Sequence, residues 1–458
     1  MKRTLATAFA LCLLPLSLVG QSKPWVSGYY AGWMQDYLPP SEIAFDAVTH
    51  IMHFSIEPNG ANVSGTGNGI DANSAKAVID PAHAAGVKVL ITCGGAGDDG
   101  AFVTATNSSN RAKFIANLVN FAVNNGYDGI DIDWEPITNT SQFRLFIPQL
   151  RAAMDSVNPA LLLTIALLDG DYSILNPVKD NFDQINIMTY DLSGAWEGWV
   201  TWHNSATYDG GYRFPSTGAL LPSADGCVDA GVAAGIPKAK LGIGTDFYGY
   251  VWTGVSQPRQ SWNSAPDVTG NIPYYQLMKT YASTPILWDS SAGAAYMSIT
   301  SGGQKFVSLD DAKTMSAKAQ YVREKGIGGI IIWELGGGYQ ASLPAGQRDN
   351  LLQAVKQAFM VTGVTAANSA PAQFRLEQNF PNPFNPTTNV EFSIAKTALV
   401  SLRVYDMLGR EVAVLVQGVK GPGVHTATFD GKGLASGVYF YRLTAGNSVE
   451  TKRMMLVK

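Results

Sequence analysis

Asp128-Gly129-Ile130-Asp131-Ile132-Asp133-Trp134-Glu135 is the stretch on which the reading of this chain turns. Side chains along a strand point alternately to opposite faces, so Asp131, Asp133 and Glu135 share one face while Ile130, Ile132 and Trp134 share the other. An apolar face of this kind packs on a neighbouring layer. If the strand belongs to a barrel, the apolar set faces outward onto helices and three carboxyls line the axis. Ionising all three at close quarters and partly out of water costs several kcal/mol (roughly, from Coulomb and burial costs). A proton must therefore be shared, and at least one carboxyl must titrate high. A carboxyl that keeps its proton near neutral pH is what general acid catalysis requires. The alternatives are an exposed acidic strand end or a divalent-metal site.

Working outward, apolar runs alternate with helical patterns from Trp25 to about Met360. The expected strands are Trp25–Tyr30, Ala47–Phe54, Val87–Thr92, Gly129–Asp133, Leu161–Leu167, Gln184–Tyr190, Lys240–Thr245 and Ile327–Trp333. Helical spacing recurs between them. Phe114, Leu118, Phe121 and Ala122 lie in a run from Asn110 to Asn124, and Ser141 opens a run through Phe143, Phe146, Ile147, Leu150 and Met154. Asp310 and Asp311 are expected to cap a third run, which reaches Tyr321. Continuously apolar strands such as Ile330-Ile331-Ile332 imply cover on both faces. Eight βα units in about 335 residues predict an α/β chain built on a (β/α)8 TIM barrel. A doubly wound open sheet is the other solution, but no glycine-rich phosphate fingerprint follows the first strand. Residues Ser193 to Pro222 and Phe247 to Leu309 are too long for bare connections. The second is long enough for an α+β subdomain inserted between strand 7 and helix 7. Both leave the carboxyl ends of strands, where barrel enzymes place their sites.

The pattern changes after Met360. Residues 362–372 are rich in Ala, Thr, Ser and Asn and read as a linker. From Gln373 onward short alternating runs separated by turn residues predict a small Ig-like β-sandwich over residues 373–458. This tail holds none of the ten tryptophans and carries a net charge of +4, against −8 for the rest. At the other end, Lys2 and Arg3 precede an apolar run from Leu5 to Val19 and small residues near Gly20. Residues 1–22 thus read as a signal peptide, with the catalytic barrel over 23–361. The run is short for a membrane span, and Cys12 lacks the setting of a lipidation site. Cys93 and Cys227 are expected as separate buried thiols rather than a disulfide. No Cys/His ligand cluster is present, so no metal and no cofactor are expected. The overall charge of −4 argues against nucleic acid as a partner.

The carboxylate strand resembles the Asp-x-x-Asp-x-Asp-x-Glu signature of glycoside hydrolase family 18, the chitinases. Other phrases agree in order: Thr92-Cys93-Gly94-Gly95, Met188-Thr189-Tyr190-Asp191, His203-Asn204, Tyr248-Gly249, Trp288-Asp289 and Trp333. The likeness covers about Trp25 to Met360. It implies substrate-assisted retaining hydrolysis of β-1,4-linked N-acetylglucosamine polymers. Glu135 would be the acid, Asp133 would orient the acetamido group, Asp131 would hold a shared proton, and Tyr190 would donate to the acetamido oxygen. Asp191, Met188, Trp333, Tyr29, Phe54, Gly94, Gly95 and Trp196 would bind substrate, with Trp333 as the floor. Trp199, Trp202 and Trp252 lie on the same long loops, where packing is the competing role. Two departures are visible: Thr92 stands where the family has Ser, and Pro136 where it commonly has Tyr.

The tail resembles the type A C-terminal sorting domain of the type IX secretion system. The matching phrases are Asn382-Pro383-Phe384-Asn385-Pro386-Thr387-Thr388, Val404 to Val412, Ala435-Ser436-Gly437-Val438-Tyr439 and the closing Lys452 to Lys458. The competing reading is a carbohydrate-binding module built on Tyr405, Tyr439 and Tyr441. The sequence therefore predicts an exported, secreted or surface-held monomeric chitinase whose partners are chitin-like polysaccharide and the secretion machinery. An endo-β-N-acetylglucosaminidase acting on glycoprotein glycans or peptidoglycan is the alternative within enzymes, and a non-catalytic lectin the alternative outside them.

Overall fold

The carboxylate strand sits in the middle of a parallel sheet that closes on itself. In the computed structural model, residues 23–360 are described except 171 and 263–265, and residues 374–457 except 377, 380, 381, 395, 397, 421, 422 and 447. The leader expected at 1–22, with Cys12, and the linker expected at 362–372 lie outside the described residues. The chain divides into two compact units between Met360 and Val361.

In the first unit, strands β1 (Trp25–Ala31), β2 (His50–Asn59), β3 (Lys88–Ala96), β4 (Gly129–Glu135), β5 (Leu162–Leu167), β6 (Gln184–Ile187) and β7 (Leu241–Asp246) follow one another around the barrel. The eighth barrel strand, Gly329–Trp333, pairs with both β7 and β1, and β1 pairs with β2, which closes the ring. Helices α1 (Ala72–Ala84), α2 (Asp99–Ala105), α3 (Arg111–Asn124), α4 (Thr140–Val157) and α5 (Ala224–Ala233) cover the outside. The first connection differs from a regular βα unit. It carries only 3-10 turns, at Gly32–Met34, Pro40–Glu42 and Phe45–Ala47, in a segment punctuated by Pro39 and Pro40.

The apolar face of β4 packs as the alternation requires. Ile130, Ile132 and Trp134 are buried in the main core, and the Trp134 indole stacks on Phe102 with centroids 4.6 Å apart. Its Nε1 donates to Asp99 Oδ1 at 2.7 Å, so the one polar atom of this buried ring is satisfied. Burying such a ring is worth roughly 4–6 kcal/mol at the usual coefficient per unit of apolar area. Two caps differ from expectation. Asn139, not Ser141, caps α4 by accepting from the Gln142 amide at 3.1 Å, two residues earlier than the apolar spacing suggests.

Between β7 and the next outer helix lies the inserted subdomain. Strands β8 (Tyr248–Thr253), β9 (Asp267–Pro273), β10 (Ile286–Asp289), β11 (Ala294–Ile299) and β12 (Lys305–Leu309) form an antiparallel sheet in the order β9-β8-β12-β11-β10, with helix α6 (Tyr274–Thr280). Helix α7 (Ala312–Lys325) is capped by Asp311 alone, in a reciprocal box with Thr314. Asp310 instead turns inward to a buried ion pair with Lys318 at 2.6 Å, and Thr245 donates to the same carboxylate. The strand that follows, Gly329–Trp333, is β13 of the chain. The insertion and the loop of residues 193–222 are laced together. His203 and Arg259 both pair with Asp289, Thr207 donates to the Gly293 carbonyl, and the Tyr208 amide to Ala292. The Arg259 and His203 partners hold the Asp289 carboxyl well below the usual carboxylate range although burial opposes it. Trp202 and Trp252 are fully buried here and act in packing.

The second unit is a two-sheet sandwich. Strands β14 (Arg375–Leu376), β15 (Thr387–Ile394) and β18 (Gly423–Asp430) make one sheet, and β16 (Ala398–Tyr405), β17 (Glu411–Lys420), β19 (Gly437–Ala445) and β20 (Ser448–Leu456) the other. Val390, Phe392, Val400, Leu402, Val404 and Leu443 fill the space between them. Tyr439 and Tyr441 belong to this core, so they do not form a sugar-stacking row. The Tyr405 ring lies under the Arg442 guanidinium.

Cys93 and Cys227 are both buried and free. Among the described residues no cluster of potential metal ligands occurs, and no helix is long and apolar enough to cross a membrane.

Candidate active site

The register of β4 against its neighbours decides what each carboxyl meets. Asp131 lies opposite Thr92 on β3 and Thr164 on β5, Asp133 opposite Gly94, and Glu135 opposite Ala96. Asp131 is therefore flanked by hydroxyls. It accepts from Thr164 Oγ1 at 2.5 Å, Tyr29 Oη at 2.9 Å and Thr92 Oγ1 at 3.1 Å. Thr92, the departure from the family's Ser, keeps the donor. Complete burial still pushes the Asp131 carboxyl up to about 6, against the pull of these three donors.

Opposite Asp133 there is no side chain, and none fits. A Cβ on Gly94 would stand 2.1 Å from the Asp133 carbonyl oxygen and 2.6 Å from the Phe102 ring, and its φ of +106° suits glycine. Asp133 is buried and shares a hydrogen bond with Glu135. Its carboxyl is raised well above the carboxylate range, first by burial and then by the Glu135 charge. Glu135 is raised by burial, lowered by the bond from Asp133 and raised again by Asp191. Asp133 and Glu135 thus form one raised pair, with Asp131 held apart by its three hydroxyls. Asp133 Oδ1 is buried with no partner.

The pair opens into a cavity of about 520 Å³ at the carboxyl ends of the strands. Tyr29, Phe54, Gly94, Gly95, Asp133, Glu135, Met188, Tyr190, Asp191 and Trp333 all line it. Trp333 meets Phe54 edge-on at 4.8 Å and Tyr29 at 5.4 Å, which fixes the indole as a partly open floor. Tyr190 approaches because β7 carries a glycine there: a Cβ on Gly244 would lie 2.6 Å from the Tyr190 ring. Burial and the nearby carboxylates raise both Tyr29 and Tyr190, so their phenols stay protonated as donors. Asp191 adopts a left-handed φ of 57°. Its amide donates to Asn204 Oδ1 at 3.1 Å, and its Oδ1 accepts from Tyr248 Oη at 2.6 Å and Tyr250 Oη at 2.9 Å. Asn204 in turn donates to Asp246.

Trp196 is placed elsewhere. It is half exposed, packs against Trp199 with centroids 4.4 Å apart, and is not among the residues lining the cavity. Conversely Trp33, Ser55, Glu57, Asn68, Asp98 and Asn271 line the cavity without having been singled out from the sequence. Glu57 follows a register shift in β2 and Asn271 lies within one in β9, where simple alternation no longer tells which way a side chain points. Asp98 ends a run of Gly and Ala that carries no pattern to read.

Residues 26–338 match the family model described as Glycosyl hydrolases family 18, and residues 378–458 match the Secretion system C-terminal sorting domain. The chain is 29% identical over 317 residues to Chitinase A1 of Niallia circulans, covering 61% of this chain and 43% of that protein. It is also 29% identical over 306 residues to Class V chitinase of Arabidopsis thaliana, covering 61% and 75%. Among solved structures, Ostrinia furnacalis Group IV chitinase in complex with allosamidin superposes with a TM-score of 0.63 at 22% identity, covering 73% of this chain and 98% of that one. A family 18 N-acetylglucosaminidase from Paenibacillus barengoltzii gives 0.61 at 23%, covering 73% and 99%. At these identities the structural likeness is one of fold.

Proposed function

The chain belongs to glycosyl hydrolases family 18, and on that premise we propose that it hydrolyses β-1,4-linked N-acetylglucosamine polymers, chitin and its oligomers, by substrate-assisted retaining catalysis. The C-terminal sorting domain marks it as an exported protein, secreted or held at the cell surface. For its passage across the outer membrane we propose the type IX machinery as partner.

The observation that carries the reaction is the placing of Asp133 and Glu135 side by side on one strand face, with both carboxyls raised by burial, in an aromatic-floored cavity. In the proposed path, the sugar to be cleaved rests on Trp333. Glu135 donates its proton to the glycosidic oxygen as that bond breaks, and the substrate's own acetamido carbonyl oxygen closes on the anomeric carbon. As substrate binds, Asp133 passes its proton to Glu135 and, now a carboxylate, turns to accept the acetamido N–H and stabilises the positive charge of the oxazolinium ion. Tyr190 donates to the acetamido oxygen, and Asp191, held by two phenols, faces the same sugar. Glu135, now a carboxylate, takes a proton from the water that opens the ring, restoring the acid. Asp131 fixes the electrostatic setting of Asp133 from behind.

The test is to incubate the purified protein side by side with chitin oligomers, a high-mannose glycoprotein and peptidoglycan. Release of short N-acetylglucosamine oligomers is expected. Release of glycans from glycoprotein with the oligomers untouched supports the endoglycosidase reading instead. Binding without cleavage of any of them supports the lectin reading.

A further inference from the structure

Five carboxyl side chains line the cavity, those of Glu57, Asp98, Asp133, Glu135 and Asp191, and among its described lining residues none is lysine, arginine or histidine. The last three belong to the proposed chemistry. Glu57 and Asp98 do not, and their placement needs another account.

Glu57 is held on the cavity wall by Asn68, whose Nδ2 donates to Glu57 Oε1 at 3.1 Å and to Ser55 Oγ at 3.0 Å. Asp98 is half-buried, and burial, then the charge of Glu57, another acid, raise its carboxyl. Elsewhere on this unit acids face cations: Asp80 pairs with Lys76, Asp225 with Lys325 and Asp289 with Arg259. Like charges gathered in a concave, partly dry site raise its negative potential and attract a cation. A fully acetylated chain is neutral and relieves none of this charge. A sugar bearing a carboxylate adds to it. A glucosamine unit brings an ammonium with three donors.

We propose that Glu57 and Asp98 select partly de-N-acetylated chitin, binding the ammonium of a glucosamine unit that neighbours the acetylated unit being cleaved. The proposal rests on the chitinase reading, since it takes the cavity as the sugar site. The cleaved unit itself must keep its acetyl group, because that group is the nucleophile.

The experiment compares kcat/KM of the full chain at low salt on fully acetylated N-acetylglucosamine tetramer and on tetramers with one glucosamine at each position. At least one mixed tetramer is expected to be preferred by about fivefold, the worth of a partly solvated charge pair, and the preference should shrink in high salt. Glu57→Gln and Asp98→Asn should each bring the ratio toward one. A wild-type ratio of one for every mixed tetramer overturns the proposal, as does a preference that survives in the double variant. Titration of the same tetramers into Glu135→Gln reads recognition without turnover. Failure of hydrolysis on all substrates would count against the chitinase reading, while the affinity ratio would still decide the role of Glu57 and Asp98.

Discussion

At the residue scale the account rests on how one strand distributes protons. Glu135→Gln keeps shape and hydrogen bonding but delivers no proton, so kcat should fall by at least about 10²–10⁴-fold while oligomer Kd changes little. Steady-state kinetics and calorimetry on the two proteins check this, and near-normal turnover would contradict the assignment. The proposed acid role needs Glu135 protonated, and burial raises its carboxyl, so activity should decline on the alkaline side as that proton is lost. Asp131 carries a separate, thermodynamic prediction. Its folded value of about 6 exceeds the ordinary 3.8, so the folded state binds the proton more tightly than the unfolded state does. Its contribution is intact below the unfolded value and is lost as pH rises through about 6. Across that window the stability of Asp131→Asn relative to wild type should improve by about 3 kcal/mol. Denaturant unfolding at pH 3.5 and 7.5 reads the difference, and a pH-independent offset would refute it. The three carboxyls were legible in the alternation of residues 130–135. That three hydroxyls enclose Asp131 was not. It depends on Thr92, Thr164 and Tyr29 arriving from three other strands.

At the scale of elements, the barrel strands followed from continuous apolar runs, but the two long loops held no period to read. Their role emerges from contacts over long separations: Asn204, from the loop after β6, receives the Asp191 amide and donates to Asp246 at the end of β7. The His203-Asn204 phrase was visible in the sequence, yet its task was not, since its partners lie 13 and 42 residues away. Asn204→Ala removes the acceptor that holds Asp191 in its left-handed conformation and leaves Asp246 without its donor. The expected result is a loss of about 1–3 kcal/mol in unfolding free energy together with a lower kcat/KM on oligomers. Unchanged kinetics in a destabilised but folded variant would show that Asn204 serves packing alone.

At the scale of the whole molecule, the two units divide labour. The shift in charge and the absence of tryptophan after residue 372 marked the second unit before any strand was placed, and the inward turn of Tyr439 and Tyr441 removes the rings a sugar-binding module needs. Deleting residues 373–458 should leave oligomer hydrolysis within about twofold of the full chain, since no cavity residue is lost, and should shift the protein from the exterior to the cell fraction. Fractionation with activity assays checks both, and full export of the truncated chain would contradict the sorting role. In the proposed reaction the acetamido group of the substrate, positioned by Asp133 and Tyr190, is the nucleophile, which makes the reaction retaining. Its most direct test is proton NMR of the first product released from a chitin oligomer by the wild-type protein, before mutarotation. The account predicts the β-anomer. Initial release of the α-anomer would contradict it.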